Sequence, residues 1–302
     1  MSASPAAPFG RMLTAMVTPF APDGSLDLDG AQRLAEHLVA AGNDGLVVNG
    51  TTGESPTTSD AEKDAVLRAV LEAVGGRATV VAGVGTNDTR HTCALAQTAE
   101  KAGAHGLLAV TPYYNKPPQA GLLAHFRALA DSTGLPVMMY DIPGRSGVPI
   151  EPDTMVALAE HPRIVAIKDA KGDLAAASSV LARSDLAWYS GEDILNLPLL
   201  SLGACGFVSV VGHLVADRLA AMIEAYLGGD VAAAARLHRG LLPVYTGVFR
   251  TQGVITTKAA LADLGLPGGP VRLPLVDATE EQRAVLRADL ADGGVAGFPA
   301  AS

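Results

Sequence analysis

Short runs of Val, Ile and Leu alternate along the chain with longer stretches in which apolar residues return every third or fourth position. The short runs predict strands and the longer ones amphipathic helices, because side chains repeat every second residue on a strand and about every 3.6 residues on a helix. Strands are expected over 13–18, 45–48, 79–84, 106–110, 137–140, 164–168, 187–190 and 206–210, and the clearest helices over 28–41, 60–74 and 91–102. Ser59 reads as an N-cap, with Glu62 completing a capping box. Strands this apolar need cover on both faces, which a parallel sheet with crossover helices provides.

The joints repeat as well. Ala41-Gly42-Asn43-Asp44-Gly45, Ala102-Gly103-Ala104-His105-Gly106 and Leu202-Gly203-Ala204-Cys205-Gly206 share one pattern, a Gly where a helix ends and a second Gly leading into the next strand. A left-handed residue after a helix explains the first. An open doubly wound sheet gives similar local signals, but eight strand–helix units in succession, with no visible break in order, predict an α/β fold of the (β/α)8 TIM-barrel type. Further helices are expected over 217–227, 230–249, 253–264 and 280–289. The organisation expected is therefore a disordered tail over 1–10, a catalytic barrel over 11–228 and a C-terminal helical domain over 229–302.

Composition narrows the function. Of 302 residues, 49% are hydrophobic and 18% charged, a balance that supports a packed core. A formal charge of −9, with no Lys/Arg cluster, argues against nucleic acid or an anionic membrane as partner. Cys93 and Cys205 sit in apolar surroundings, neither a disulfide framework nor a metal pattern, so both are expected buried in a reducing, cytoplasmic protein. No basic segment precedes an apolar core at the start, so no signal peptide is expected. Residues 194–216 lack Asp, Glu, Lys and Arg, yet Asn196, Pro198, Gly203, Gly206, Gly212 and His213 interrupt them. They predict a short helix and a buried strand, not a membrane span. Gly83-Val84-Gly85-Thr86-Asn87-Asp88 lacks the third glycine of a dinucleotide fingerprint, and the histidines show no paired metal spacing. Neither a metal nor an organic cofactor is implied.

In a βα barrel the reactive groups stand at the C-terminal ends of the strands. Polar residues gather there, at 50–55, 111–117, 140–147, 168–169 and 190–193, and four of the six tyrosines (Tyr113, Tyr114, Tyr140 and Tyr189) fall at or near these ends. Lys168 continues the apolar run Ile164-Val165-Ala166-Ile167. Facing the interior it would be desolvated, which favours the neutral amine that carbonyl attack requires, while alternation turns Asp169 away. The competing reading is a strand-end lysine that reaches solvent or pairs with Asp169. Tyr140 stands on the neighbouring strand, where its phenol could relay protons through Thr51 or Thr52; as an ordinary tyrosine it would fill core. The turn Gly50-Thr51-Thr52-Gly53-Glu54 could hold a carboxylate or be an ordinary turn, and Arg145 could clamp a carboxylate or be solvated.

Together the segments GTTGES (50–55), PYYNKP (112–117), YDIPGRSG (140–147) and IKDAKGD (167–173) resemble the dihydrodipicolinate synthase family of the N-acetylneuraminate lyase superfamily. The resemblance spans residues 11–290. It implies a barrel with a C-terminal helical domain, a homotetramer of tight dimers, and condensation of pyruvate with L-aspartate-4-semialdehyde on the way to diaminopimelate and lysine. Other pyruvate aldolases of the superfamily, such as N-acetylneuraminate lyase or a 2-keto-3-deoxy sugar acid aldolase, are the alternative; the intact Arg145 and the Thr51-Thr52 pair favour the short acidic aldehyde. By the same resemblance Lys168 is the Schiff-base lysine, the imine with pyruvate standing in place of any cofactor. Thr51, Tyr140 and Tyr114 form the proton relay, with Tyr114 reaching into a neighbouring subunit. Thr52, Val208 and Gly191 bind pyruvate or line its site, and Arg145 meets the semialdehyde carboxylate. Asp141 and Asp169 stand where relatives often have Asn and Glu, and both are expected to face away. Tyr113 and Asn87 fit the pocket through which lysine inhibits some members. Asp60, Lys63 and His91 depart from it, so weak or absent inhibition by lysine is expected.

Overall fold

The computed structural model describes residues 6–299. Eight parallel strands close into a barrel in chain order, the last pairing with the first. They are β1 (Met12–Ala15), β2 (Gly45–Val48), β3 (Thr79–Gly83), β4 (Gly106–Val110), β5 (Val137–Asp141), β6 (Ile164–Asp169), β7 (Ala187–Ser190) and β8 (Gly206–Ser209). Alternation sorts their side chains. Leu13, Val47, Val81, Leu108, Met138, Ala166 and Val208 fill the barrel, whereas Leu46, Val80, Leu107, Met139 and Ile167 meet the outer helices. Lys168 shares its parity with Ala166 and points inward; Asp169 shares that of Ile167 and points out.

The repeated joints have two separate causes. Gly42, Gly103 and Gly203 take φ of 105°, 93° and 110°, the left-handed values that end a helix without strain only in glycine. The second glycines are small because the floor of the barrel is crowded. A Cβ on Gly106 would come within 2.3 Å of the Phe9 ring, and one on Gly206 within 2.1 Å of the Arg11 carbonyl.

Of the disordered tail expected over 1–10, residues 1–5 lie outside the described residues, and Phe9 is fixed in the core, 0% exposed. Its amide donates to the Tyr189 hydroxyl at 3.2 Å, and that hydroxyl donates to the Gly10 carbonyl at 2.9 Å. Tyr189 is thereby removed from the strand-end cluster: its ring lies inside the barrel and its hydroxyl serves the floor. Cys205 is buried as expected, but Cys93 is half-buried.

Residues 194–216 form a helix (Asn196–Leu202) and β8, and among the described residues no helix is long and apolar enough to cross a membrane. The helix Gly212–Leu227 starts earlier than expected and kinks at Val215. The single helix expected over 230–249 is two, Val231–Gly240 and Leu242–Val248. Pro243, in the first turn of the second, cannot continue the first because it lacks an N–H and clashes with the preceding turn. These helices, with Gly253–Asp263 and Glu280–Asp292, pack Leu241, Val244, Ala260 and Leu286 into one cluster with Met12 and Phe207 of the barrel.

Candidate active site

β5, β6 and β7 set Tyr140, Lys168 and Tyr189 in register, so two side chains of opposite chemistry meet at the C-terminal rim. Lys168 is 4% exposed, and its Nζ lies 4.3 Å from the centre of the Tyr140 ring. Burial, followed by the positive charge of Arg145, lowers its pKa to about 8 against the opposing pull of Asp193 and Glu192. Burial likewise pushes the Tyr140 phenol up to about 12, with Arg145 and the Thr51 side chain holding it back. At neutral pH the pair therefore combines an amine that is neutral for an appreciable fraction of the time with a phenol that keeps its proton. That is a nucleophile beside a proton donor.

Asp169 leaves this lysine alone, since its Oδ1 accepts from the Lys171 and Gly172 amides at 2.8 and 3.4 Å. Asp141 also faces away: its Oδ1 accepts from the Ile150 amide at 3.0 Å, and burial raises its pKa to about 7. The carboxylates that favour the charged form of Lys168 are Asp193 and, after it, Glu192; Asp193 stood in the noted 190–193 segment without a role of its own. It is buried and accepts from Ser209 Oγ at 2.5 Å and from the amides of Val210 and Val211 at 3.0 and 3.1 Å, so it also fixes the loop after β8.

A cavity of about 620 Å³ opens above Lys168, with Thr51, Thr52, Tyr140, Arg145, Gly191 and Glu192 in its walls. Gly191 makes room for the lysine: a Cβ there would come within 2.8 Å of both Cγ and Cε of Lys168. Val208 lies lower, buried in the barrel interior, and Val210 is the β8-end residue that lines the cavity. Arg145, on the short helix Pro143–Ser146, donates from Nη2 to Gln252 Oε1 at 2.8 Å. Gln252 and Glu192 are wall residues that sequence reasoning missed. Glu192 stood in a noted strand-end segment without a role, and nothing local marks Gln252, 107 residues from its partner.

A second cavity of about 520 Å³ shares Thr51, Tyr140 and Arg145 with the first and is walled by Tyr113, Tyr114, Asn87, Asp60, Lys63 and His91. Tyr114 takes φ of 75° and is 87% exposed, so in a single chain its ring projects away from the protein. Among the described residues no group of three or more His, Cys, Asp or Glu could hold a metal.

The dihydrodipicolinate synthetase family model matches residues 8–292. The chain is 72% identical to the 4-hydroxy-tetrahydrodipicolinate synthase of Acidothermus cellulolyticus, over 97% of this chain and 95% of that one. It is 69% identical to 4-hydroxy-tetrahydrodipicolinate synthase 2 of Streptomyces coelicolor, over 97% and 98%. The crystal structure of DHDPS from Cyanidioschyzon merolae with lysine bound superposes with a TM-score of 0.94 at 42% identity, covering 96% of this chain and 99% of that one.

Proposed function

Because the chain belongs to the dihydrodipicolinate synthetase family, we propose that Lys168 is the amine on which it carries out that family's condensation of pyruvate with L-aspartate-4-semialdehyde. The observation that carries this assignment is the buried Lys168 Nζ over the Tyr140 ring at the cavity base. The neutral amine adds to the pyruvate ketone carbon, and Tyr140 protonates the departing oxygen, which leaves as water. Loss of a methyl proton from the imine gives an enamine, whose carbon adds to the aldehyde carbon and forms the new C–C bond. The amino group carried in by the semialdehyde then attacks the imine carbon, closes the six-membered ring of the product and expels the lysine amine, which is thereby restored. The chain's own residues supply each proton, with no cofactor or metal.

Thr51 relays between Tyr140 and solvent, with Tyr114 as third member supplied by a neighbouring copy, which fits its exposure on one chain. Thr52 holds the pyruvate carboxylate, Val208 and Gly191 shape the space beneath it, and Arg145, steadied by Gln252, takes the carboxylate of the aldehyde. In this reading the working enzyme is a cytoplasmic homotetramer, its chemistry in the barrel over 11–228 and its helical domain over 229–302. Borohydride reduction in the presence of pyruvate, followed by peptide mapping, tests the central claim. The adduct is expected on the peptide containing Lys168; a chain reduced without modification there overturns the assignment.

A further inference from the structure

The turn that carries Thr51 and Thr52 is bounded by two non-glycine residues in left-handed conformation, Asn49 at φ 58° and Glu54 at φ 55°. Such values cost energy that neighbouring contacts must offset. Within the turn, the Glu54 amide donates to the Thr51 carbonyl at 3.1 Å and the Ser55 amide to the Gly50 carbonyl at 3.2 Å. From outside, Thr18 Oγ1 donates to the Gly53 carbonyl at 2.7 Å. The strongest anchor comes from the far end of the sequence. Glu54 Oε1 lies 2.6 Å from Lys258 Nζ, with both side chains almost wholly buried, and Glu54 Oε2 accepts from the Arg272 amide at 2.8 Å. Lys258 Nζ also donates to the Pro270 carbonyl at 2.8 Å. Lys258 Nζ and Arg272 Cζ lie 4.3 and 4.1 Å from the centre of the Phe20 ring.

A buried ion pair is a poor device for stability alone, because the cost of removing both charges from water cancels much of their attraction. It is a good device for fixing a position, since neither partner can leave without stranding the other. Here the fixed position is the backbone just after the two threonines. The helix that bears Lys258, Gly253–Asp263, is preceded by Gln252, which holds Arg145. The helix and its N-cap thus brace both Arg145 and the turn that carries the threonines.

We propose that the buried Glu54–Lys258 pair is a positioning device that holds Thr51 and Thr52 in register with Tyr140 and Lys168, so that the C-terminal helical region takes part in the pyruvate half of the reaction. This rests on the reading of Lys168 as the imine-forming amine. Neither residue reacts with substrate. Their effect passes through the hydroxyls of the turn, where displacement by about 1 Å is enough to cost up to 100-fold in rate.

The test uses the full chain with Glu54→Gln, Lys258→Met and the double variant, all measured well below their thermal midpoints. The readout is deuterium incorporation into the pyruvate methyl group in D2O without aldehyde, which needs imine formation and the proton relay. Lys258→Met should lower the midpoint by stranding a carboxylate, and the neutral double variant should recover it. Exchange should nevertheless stay roughly tenfold or more below the unaltered chain in the double variant, with the KM for pyruvate raised and that for the semialdehyde within about twofold. Exchange that returns together with the midpoint, or a folded Glu54→Gln chain exchanging within about twofold of the unaltered one, overturns the positioning role. Borohydride trapping on the unaltered chain separates the two claims. If no pyruvate is trapped on Lys168, the underlying reading fails; if it is trapped but the variants exchange normally, only the positioning role fails.

Discussion

At the scale of single residues, the chemistry depends on how far burial depresses one ammonium group. With Lys168 at about 8, kcat/KM for pyruvate should climb as pH rises from 6 and level off above about 8, which a pH–rate profile at low pyruvate will show. Stability should move with it. The folded value lies below the ordinary 10.5, so between about 8 and 10.5 the unfolded chain binds more protons and stability rises with pH. Below about 8 the whole penalty for burying the ammonium is present. Lys168→Met should therefore abolish turnover yet make the fold more stable at pH 7 by about 1–3 kcal/mol, a gain that shrinks towards pH 10. Thermal denaturation at the two pH values checks the sign. Arg145 gives a different signature. Arg145→Ala removes a charge-assisted clamp on the aldehyde carboxylate and should raise the KM for the semialdehyde about tenfold or more while imine trapping continues. Steady-state kinetics that leave the semialdehyde KM unchanged would remove the basis for its assigned role.

At the scale of elements, the sequence shows most where a local rule and the tertiary structure agree. The expected bounds of β2, β4 and β7 coincide with those found because each joint or strand end is marked by glycine or by the end of an apolar run. Period-two alternation likewise sent Lys168 inward and Asp169 outward. Where sequence reading fell short, the cause is contact between distant parts of the chain. Phe9 is buried only because eight strands converge above it, and Tyr189 turns to the floor to satisfy its hydroxyl there. Asp193, Gln252 and Lys258 gain meaning only from the partners that closure of the barrel delivers. Pro243 was visible in the sequence and should have split the helix expected over 230–249. The glycines offer a test of what crowding costs at two places in the barrel, its floor and its reactive lysine. Gly106→Ala, whose Cβ would lie 2.3 Å from the Phe9 ring, should destabilise by about 1–3 kcal/mol through overpacking, whereas Gly191→Ala should chiefly lower kcat by crowding Lys168. Denaturant titration and kinetics on the two variants will separate these effects.

At the scale of the whole molecule, the second cavity shares a wall with the candidate active site at Thr51, Tyr140 and Arg145, so a ligand held there would touch the reacting groups. The solved relative from Cyanidioschyzon merolae has lysine bound, so the fold accommodates that ligand elsewhere in the family. If lysine were to enter the second cavity, as the family resemblance implies, it would meet walls of the wrong charge. Lys63 is buried in the lining and donates to the Thr58 carbonyl, which leaves a cation where a dibasic ligand would bring another. The acid of this wall, Asp60, is already held by His91 Nε2 at 2.9 Å. An incoming amine would have to break that contact and approach Lys63 without a free carboxylate to balance it, and like charge at short range disfavours binding. The chain should therefore keep its full initial rate in micromolar lysine, and His91→Glu, which adds an acid to the wall and releases Asp60, should strengthen lysine binding measured by calorimetry. Half-inhibition of the unaltered enzyme at micromolar lysine would overturn this reading of the pocket's charge from the single chain.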